Sequence, residues 1–398
     1  MPPTILCLSS YHKGQELLRA CAAEGARTFL LTVEELRDAD WPREVLADLL
    51  VMPSFEPRAH VLNAVAWLAR TEPIARIVAL DEFDMELAAE LREHLRIPGR
   101  GVTATRATRD KLVMRECAAA AGVAVPEFTR VVHHGEVARW LETVPAPWVL
   151  KPRAQASAIG IRKLHAAGEL WPLLERLGDE QSHFVLERFV PGDVYHADGI
   201  VIEGDVVFAE VHRYAQPPFD VMHAGGLFCS ATVPRGDAED AAVRAVLPRV
   251  LAALDLADGV FHVEFIRAHG DGRCHFLEAA ARVGGAHIAE MVEYATGLNL
   301  WREWGRLELA QAGGERYRLP PARRDHGGVL ISLARQEWPD TASYDDPEIV
   351  WRLRKRHHAG LIVTAPDAAR VRALLEGYMG RFQHDFQAAM PAPERATN

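Results

Sequence analysis

The hydrophobic pattern of the first hundred residues alternates between short apolar runs and segments with helical spacing. The runs Thr4–Leu8, Arg27–Thr32 and Arg76–Leu80 predict buried strands, and Glu16–Ala23 predicts a helix between the first two. Strands that alternate with helices indicate a parallel, Rossmann-like α/β layer. No GxGxxG follows the first strand, so the motif that marks dinucleotide-binding sites is absent.

Two segments that follow the last of these strands carry signals for the start or the end of a helix. The acidic segment Asp81–Asp84 follows a predicted strand, at the edge where open α/β sheets bind ligands. A helix N-cap formed by Asp81 explains that segment better than a binding site does. Farther along, Thr103–Ala121 predicts one continuous helix that ends at Gly122.

A lysine ends the next apolar strand, Trp148–Lys151. Burying an ammonium group is costly, so Lys151 must reach water or an anion. Small residues follow in the stretch RAQASAIGIRKL, and they would let backbone amides approach phosphate oxygens. The stretch is not the P-loop pattern GxxxxGK[ST], and a flexible hairpin tip explains the small residues equally well.

The segment Gly259–Ile288 predicts a β-hairpin with acidic residues where a core strand would carry none. A three-residue loop at Gly270–Gly272 places Glu264 directly opposite Glu278. Opposed carboxylates repel each other. Mg²⁺ between them would remove the repulsion, because this hard cation binds one or two carboxylates together with substrate phosphates. Two solvated glutamates on an exposed face are the alternative at this point.

Composition restricts the class of protein. The chain has 398 residues, of which 49% are hydrophobic and 25% charged, which allows two or three domains with a buried core. The formal net charge of −10 disfavours a nucleic-acid or anionic-membrane surface. The five cysteines have no CxxC spacing, so we expect neither a zinc site nor disulfides. No apolar run is long enough to span a bilayer, and we expect a cytoplasmic protein.

Six stretches in a fixed order make the sequence similar to the ATP-grasp superfamily over about residues 1–300. They are RDKLVMR, WVLKPR, SAIGIRK, LERFVPGDVYHAD, VEFI and LEAAARVGG. The resemblance implies a mixed α/β and α+β fold with a Rossmann-like N-terminal domain, a small lid and a larger α+β body. We expect these over residues 1–110, 111–187 and 188–398, the last including a C-terminal α+β lobe.

The resemblance also implies which residues contact the phosphates of ATP. Lys111 and Lys151 would bind phosphate oxygens. Ser157 and Gly160 would belong to the lid loop that closes over the β- and γ-phosphates. Arg282 would stabilise phosphate oxygens or the charge of the tetrahedral intermediate, which makes it, with Lys151, the catalytic candidate. Fixed cations of this kind act by positioning and electrostatics.

The resemblance also implies which residues contact the purine and which bind the metal. Glu187 would accept a hydrogen bond from the adenine amino group, and the backbone of Arg188 and Val190 would contact the purine edge. Glu264 and Glu278 would bind Mg²⁺, with Mn²⁺ as a second candidate.

The sequence departs from the family pattern at two positions. Many members have an asparagine that ligates metal where this chain has Ala280. The glutamate that often binds the ribose falls at Val194, and Asp193 or Asp198 is the candidate to replace it. The lid also lacks the consecutive glycines expected of a biotin carboxylase, which argues against carboxylation of biotin.

The stretch LEAAARVGGAHI resembles most the amino-acid and peptide ligase branch. There the arginine and the glycines that follow, here including Gly285, shape the pocket of the acceptor. Arg213 could pair with a substrate carboxylate. His212 and His223 could orient the amine or accept its proton, although an ordinary structural histidine is the commoner case.

The expected activity is therefore that of an ATP-dependent carboxylate–amine ligase. It would form an amide or peptide bond through an acyl phosphate and release ADP and phosphate. The expected partners are a small carboxylic acid and an amine, without nucleic acid or membrane, and a homodimer is compatible with the sequence. A carboxylase-type enzyme that uses bicarbonate and a nucleotide-binding protein with little catalysis are the alternatives.

Overall fold

The computed structural model of the chain describes residues 2–156, 159–219, 221 and 226–388. Within these residues the strands form three sheets, two of four strands and one of eight. One hydrophobic core runs from the first sheet into the eight-stranded sheet, and the other four-stranded sheet has a core of its own. This mixture of parallel and antiparallel layers confirms the predicted α/β and α+β fold class.

The N-terminal layer is a parallel sheet covered by helices. Its strands are β1 (Thr4–Ser9), β2 (Arg27–Val33), β3 (Asp48–Met52) and β4 (Ile74–Ala79), and its helices are α1 (Gln15–Ala23), α2 (Arg58–Leu68) and α3 (Met85–Leu95). The strand order is β3-β2-β1-β4, and every pairing is parallel. Strand β1 is buried on both faces, as expected for a parallel strand with helices on either side. The Rossmann-like layer is confirmed.

The helix predicted over Thr103–Ala121 is two helices, so that prediction is wrong. They are α4 (Val102–Arg106) and α5 (Lys111–Ala120). Asp110 separates them, because its carboxylate accepts hydrogen bonds from the first amides of α5 and pairs with Arg153. An aspartate in the extended conformation at an N-cap starts a new helix. The break places Lys111 at the first position of α5.

The second four-stranded sheet is antiparallel. Its strands are β5 (Phe128–Arg130), β6 (Trp148–Pro152), β7 (Arg162–Leu164) and β8 (Phe184–Arg188), in the order β5-β8-β6-β7. Helices α6 (His134–Thr143) and α7 (Ala167–Leu177) pack on it. We call this unit the lid sheet.

The eight-stranded sheet is antiparallel throughout, in the order β13-β12-β9-β10-β11-β14-β16-β15. Its strands are β9 (Gly192–Ile202), β10 (Asp205–Tyr214), β11 (Phe228–Thr232), β12 (Gly259–Ala268), β13 (Cys274–Ala280), β14 (His326–Leu333), β15 (Ile349–Arg352) and β16 (His358–Ala365). Its helices are α8 (Ala238–Ala253), α9 (Ile288–Thr296), α10 (Leu300–Gly313) and α11 (Ala368–Asp385). We call this sheet the body sheet.

The predicted pairing of Glu264 with Glu278 is confirmed, although the predicted turn is wrong. Four residues, His269–Gly272, lie between Ala268 and Arg273, which are paired by a hydrogen bond from the Ala268 amide to the Arg273 carbonyl. That loop alone would shift the register by one residue. A bulge next to Glu264 restores it, so that Glu264 again lies opposite Glu278. A bulge adds one residue to one strand and compensates for the extra loop residue.

None of the helices among the described residues is both long enough and apolar enough to cross a bilayer.

Candidate active site

A cavity of about 480 Å³ lies between the lid sheet and the body sheet. Its size is within the range of small-molecule sites. Its lining draws on α5, on β6 and β8 of the lid sheet, and on β12 and β13 of the body sheet. The predicted site residues that line it are Lys111, Lys151, Glu187, Arg188, Val190, Glu264, Glu278, Arg282 and Gly285.

On the lid side, Lys151 belongs to a buried ion triad. Its Nζ lies 2.6 Å from Oε2 of Glu187, and Arg115 lies 3.1 Å from the other carboxylate oxygen through Nε. Burial acts to raise the pKa of Glu187, but the charges of Arg115 and Lys151 outweigh it and lower that pKa. Burial lowers the pKa of Lys151, with Glu187 opposing the shift. Two cations on one carboxylate leave an excess positive charge beside the cavity.

A second triad holds Arg282. Nε of Arg282 lies 3.2 Å from Oε2 of Glu82, and Arg109 contacts the other oxygen of the same carboxylate. Burial opposes ionisation of Glu82, yet the charges of Arg282 and Arg109 lower its pKa to about 2. Asp81, as predicted, caps the turn before Glu82 through the amide of residue 83. We call the two triads, Lys151–Glu187–Arg115 and Arg282–Glu82–Arg109, the cationic wall.

The body sheet contributes the two glutamates of the hairpin. Lys111 Nζ lies 2.9 Å from Oε1 of Glu278 and 2.6 Å from the carbonyl oxygen of Gln155. The hydroxyl of Tyr214 donates to Oε1 of Glu264 at 2.9 Å. Glu264 has no lysine or arginine within ion-pair distance among the described side chains, and its cationic partner is a histidine.

Strand register places this histidine, His262, beside the aspartate that holds its ring, Asp198, in one row across the sheet. His262 lies between Ala280 on β13 and Asp198 on β9. Nδ1 of His262 is 2.9 Å from Oδ1 of Asp198, and its Nε2 is 3.6 Å from Oε1 of Glu264. Burial acts to lower the pKa of His262, but Asp198 and Glu264 raise it to about 10. We call Glu264, Glu278, His262 and Asp198 the acidic wall.

The support behind the acidic wall is fully buried. Oδ2 of Asp198 lies 2.5 Å from Nδ1 of His196, whose Nε2 lies 2.7 Å from Oγ of Ser230. Gly284 covers this network, since a Cβ there would come within 2.5 Å of Asp198 Oδ1 and 3.1 Å of His262 Nδ1. Burial opposes ionisation of Asp198, but the two imidazoles lower its pKa. Among the described residues, the group of three potential metal ligands is His196, Asp198 and His262.

A divalent cation fits the acidic wall by the chemistry of its donors. Glu264 and Glu278 face each other in register and line the cavity. Only a tyrosine and a histidine contact Glu264 among the described side chains. Mg²⁺ and Mn²⁺ prefer such carboxylate oxygens. The cavity therefore has a wall rich in fixed cations and a wall rich in carboxylates.

Two predicted residues contact each other instead of the cavity. Nη2 of Arg213 lies 2.9 Å from Oδ1 of Asp193, and Nη1 of Arg213 lies 3.4 Å from Glu239. His212 is buried, with its ring 4.8 Å from that of His196 and Nδ1 3.2 Å from the Thr232 hydroxyl. None of Arg213, Asp193 and His212 is in the lining of the cavity. Their positions do not support the expected contacts with substrate or ribose.

The lid loop and the long loop after β10 are described only in part. Gly160 has a φ of +75°, and a Cβ there would lie 2.9 Å from the ring of Pro152. Its neighbours Ile159 and Ile161 line the cavity. Ser157 and His223 lie outside the described residues.

Sequence reasoning missed four residues that hold the site together: Arg115, Glu82, His262 and Tyr214. For two of these residues, their spacing in the sequence does indicate that they lie near a predicted site residue. Arg115 is four residues after Lys111, so a helix places both on one face. His262 is two residues before Glu264, so a strand does the same. The partners of Glu82 are 27 and 200 residues away along the chain, and no local pattern indicates them.

Comparison with known proteins shows which family the chain resembles. The family model of the ATP-grasp domain matches residues 144–290. The L-arginine-specific L-amino acid ligase of Bacillus subtilis is 23% identical over 240 residues, 59% of this chain and 57% of that protein. The D-alanine–D-alanine ligase of Chlorobaculum tepidum is 27% identical over 188 residues, 44% of this chain and 51% of that protein. The matched region thus spans about half the length of these relatives.

Solved structures extend the likeness to the whole fold. The L-amino acid ligase of Bacillus licheniformis superposes with a TM-score of 0.75 at 16% identity, covering 97% of this chain and 98% of that one. The carboxyaminoimidazole ribonucleotide synthase of Aspergillus clavatus, in complex with ATP, gives a TM-score of 0.73 at 18% identity, covering 96% and 99%. The predicted resemblance and its fold are confirmed.

Proposed function

We propose that this chain, which carries an ATP-grasp domain, is an ATP-dependent carboxylate–amine ligase that acts on small molecules. The observation that carries the proposal is the division of the cavity into a cationic wall and an acidic wall. The amide-forming ligases among its relatives support the same class of reaction. The acid and the amine would be amino acids or related small molecules.

In this proposal ATP binds with its phosphates along the cationic wall. Lys151 and Arg282 face the cavity with positive charge left over from Glu187 and Glu82. Lys111, at the start of α5, adds a third cation next to Glu278. Phosphoryl transfer depends on positioned charges of this kind far more than on a protein nucleophile. The adenine would lie against the apolar lining that includes Val190, with Glu187 as the proposed partner of the amino group.

Glu264 and Glu278 would hold Mg²⁺, which, when bound, neutralises phosphate charge and orients the phosphates. The carboxylate of the acid attacks the γ-phosphorus, and the bond from that phosphorus to the bridging oxygen breaks, which gives an acyl phosphate and ADP. The amine then attacks the acyl carbon, phosphate leaves and the nitrogen loses a proton. Arg282 is placed to stabilise the negative charge of both steps, since Glu82 fixes its guanidinium beside the cavity.

Release of ADP from pairs of acids and amines tests the proposal. The panel comprises L- and D-amino acids and simple amines, each pair with ATP and Mg²⁺, and mass spectrometry identifies the product. We expect ADP and inorganic phosphate only with particular pairs, together with an amide product. When the acid carries ¹⁸O in its carboxylate, one ¹⁸O should appear in the phosphate, because the carboxylate oxygen becomes the bridge of the acyl phosphate.

Two outcomes would replace this function with another. Release of ADP that needs bicarbonate and no amino acid would indicate a carboxylase-type enzyme. Tight binding of Mg·ATP without ADP release from any pair, and unchanged in Glu278→Ala, would indicate a nucleotide-binding protein. Phosphate without ¹⁸O in the presence of amide product would refute the acyl phosphate while leaving the ligase activity.

A further inference from the structure

The position of His262 in the acidic wall has a consequence for the cation. Strand register sets His262 directly beside Ala280, one row from Glu264 and Glu278. All four residues line the cavity. A methyl group at Ala280 offers no ligand atom, and the imidazole next to it is the polar group of that row that faces the cavity. This row therefore presents a histidine nitrogen beside the two glutamates.

The ring of His262 is oriented from behind by a buried carboxylate. Asp198 holds Nδ1 at 2.9 Å with one oxygen, and its other oxygen is held by His196. The side chain of Asp198 is fully buried, whereas that of His262 is 13% exposed. Nε2 is thus the nitrogen that faces Glu264. A carboxylate bound to the far nitrogen of a histidine is the usual support of a metal-ligating imidazole, because it fixes the ring and raises its basicity.

The spacing of His262 and Glu264 suits one shared cation, and strand register places Glu278 opposite Glu264. Nε2 of His262 and Oε1 of Glu264 are 3.6 Å apart. Two donors that each lie about 2.1 Å from one cation are roughly 3 to 4.2 Å apart, depending on the angle between them.

We propose that Nε2 of His262 is a third protein ligand of the divalent cation held by Glu264 and Glu278. The inference rests on the proposed metal site and adds a nitrogen to its two carboxylates. Imidazole is a better ligand for Mn²⁺ and Co²⁺ than for Mg²⁺, because Mg²⁺ is a hard cation that prefers oxygen ligands. The site should therefore favour Mn²⁺ over Mg²⁺ more strongly than a site made of oxygen ligands alone.

The group of His196, Asp198 and His262 is a different arrangement for a cation, and the structure disfavours it. Its potential ligand atoms lie within 4.8 Å of one another. Both oxygens of Asp198 and the Nδ1 atoms of both histidines are already joined in hydrogen bonds, and Ser230 occupies the remaining nitrogen of His196. A cation there would break this buried network. That cation would also have two histidine nitrogens as ligands, and counting the nitrogens coupled to bound Mn²⁺ distinguishes two from one.

Mn²⁺ binding to the full-length chain tests the proposal without turnover. Mn²⁺ is titrated in the presence of a non-hydrolysable ATP analogue, with electron paramagnetic resonance to count free and bound ion. In protein labelled with ¹⁵N-histidine, pulsed measurements should show coupling of bound Mn²⁺ to one histidine nitrogen. In His262→Ala we expect that coupling to vanish and the dissociation constant for Mn²⁺ to rise at least about 10-fold.

Two further variants sharpen the result. His275→Ala removes a half-buried histidine of β13 that does not line the cavity, and it should leave Mn²⁺ binding unchanged. Ala280→Asn in the His262→Ala background supplies an amide oxygen from the adjacent strand. It should recover part of the lost affinity and shift the preference of the site from Mn²⁺ toward Mg²⁺.

The proposal would be overturned by bound Mn²⁺ without histidine coupling in the wild-type chain, by coupling to two histidine nitrogens, or by coupling that persists in His262→Ala. The wild-type measurement decides even if His262→Ala does not fold, which circular dichroism checks. Failure of the ligase function is distinguishable, because it appears as absence of ADP release and leaves the Mn²⁺ spectra informative.

Discussion

The two walls of the cavity hold their carboxylates in opposite ways. In the cationic wall, Glu187 and Glu82 each contact two cationic side chains. In the acidic wall, Glu264 and Glu278 have one lysine, Lys111, and the imidazole of His262 between them, and Asp198 contacts the imidazoles of His262 and His196. One side of the cavity therefore has positive charge in excess and the other side negative charge. Facing potentials of this kind direct phosphates to one wall and a cation to the other.

The difference indicates that a carboxylate beside the proposed phosphate site need not be a metal ligand. The number of cations around it decides whether it supports an arginine or binds a cation. Glu82 and Glu187 each have two fixed cationic partners, so neither carboxylate needs a bound cation to balance its charge. Glu264 has no lysine or arginine as an ion partner among the described side chains, so it can bind a cation.

The largest effect is expected from Glu278→Ala in the acidic wall. It removes a proposed cation ligand and the partner of Lys111, and loss of one group of this kind lowers turnover by about 10²- to 10³-fold. ADP release with the best acid–amine pair measures it. Glu337→Ala, which removes an exposed glutamate paired with Arg356, is the control and should retain full activity. Full activity of Glu278→Ala would refute the site assignment.

The next effect is on stability: Arg115→Met in the cationic wall should lower the free energy of unfolding by several kcal/mol. Arg115 is completely buried, and its loss leaves Glu187 in an apolar environment with Lys151 as its remaining ion partner. Breaking a buried ion network costs about 3 kcal/mol or more. Arg188→Met is the matched control, because Arg188 pairs with Glu127 at the surface, where a pair contributes less than about 1 kcal/mol. Equal shifts of the two unfolding midpoints would contradict the expectation.

The residues of the two walls also show which features of the site can be predicted from the sequence. Opposition of Glu264 and Glu278 follows from alternation and a glycine turn, and it holds although the turn has one more residue than predicted, because a bulge compensates. Bulges depend on tertiary packing, which the local pattern does not contain. The break at Asp110 is a local N-cap, and the same carboxylate also pairs with Arg153, 43 residues away.

Long-range partners account for most of what the sequence could not predict. Glu82 meets Arg282 across 200 residues, and Arg213 meets Asp193 through strand pairing. The sequence indicates that these groups are charged and near strand ends. Which of them face the cavity, and which neutralise each other, is decided by register and packing.

A smaller effect is expected from Glu82→Gln. The amide keeps the shape of the side chain and removes the charge that holds Arg282, so that the guanidinium is less well placed. Displacement of a positioned group costs about 10- to 10²-fold in turnover, and we expect kcat to fall more than KM rises. Asp84→Asn, a change in the same turn that leaves the contacts of Arg282 in place, is the control. A kcat equal to that of the wild type would contradict the role of Glu82.

The same variant should change stability in acid. The pKa of Glu82 is about 2 in the folded chain, below the value of about 4.3 in an unfolded chain. Its contribution to stability is therefore present above pH 4.3 and is lost as the pH falls toward 2. In Glu82→Gln this component is absent. Unfolding midpoints measured between pH 5 and pH 2 should fall less steeply for the variant than for the wild type.

The smallest effect is expected at the pair of Arg213 and Asp193, which tests the boundary of the cationic wall. Their side chains are 40% and 38% exposed, and an ion pair of that exposure contributes less than about 1 kcal/mol. Arg213→Ala should therefore leave the unfolding midpoint nearly unchanged. Because Arg213 is engaged by Asp193 and Glu239 outside the cavity lining, the KM for the acid should also stay within about 2-fold, a free-energy change of under about 0.5 kcal/mol. A large rise in that KM, with kcat and the KM for ATP unchanged, would instead show that Arg213 leaves Asp193 to bind the substrate carboxylate, and the cationic wall would then extend to β10.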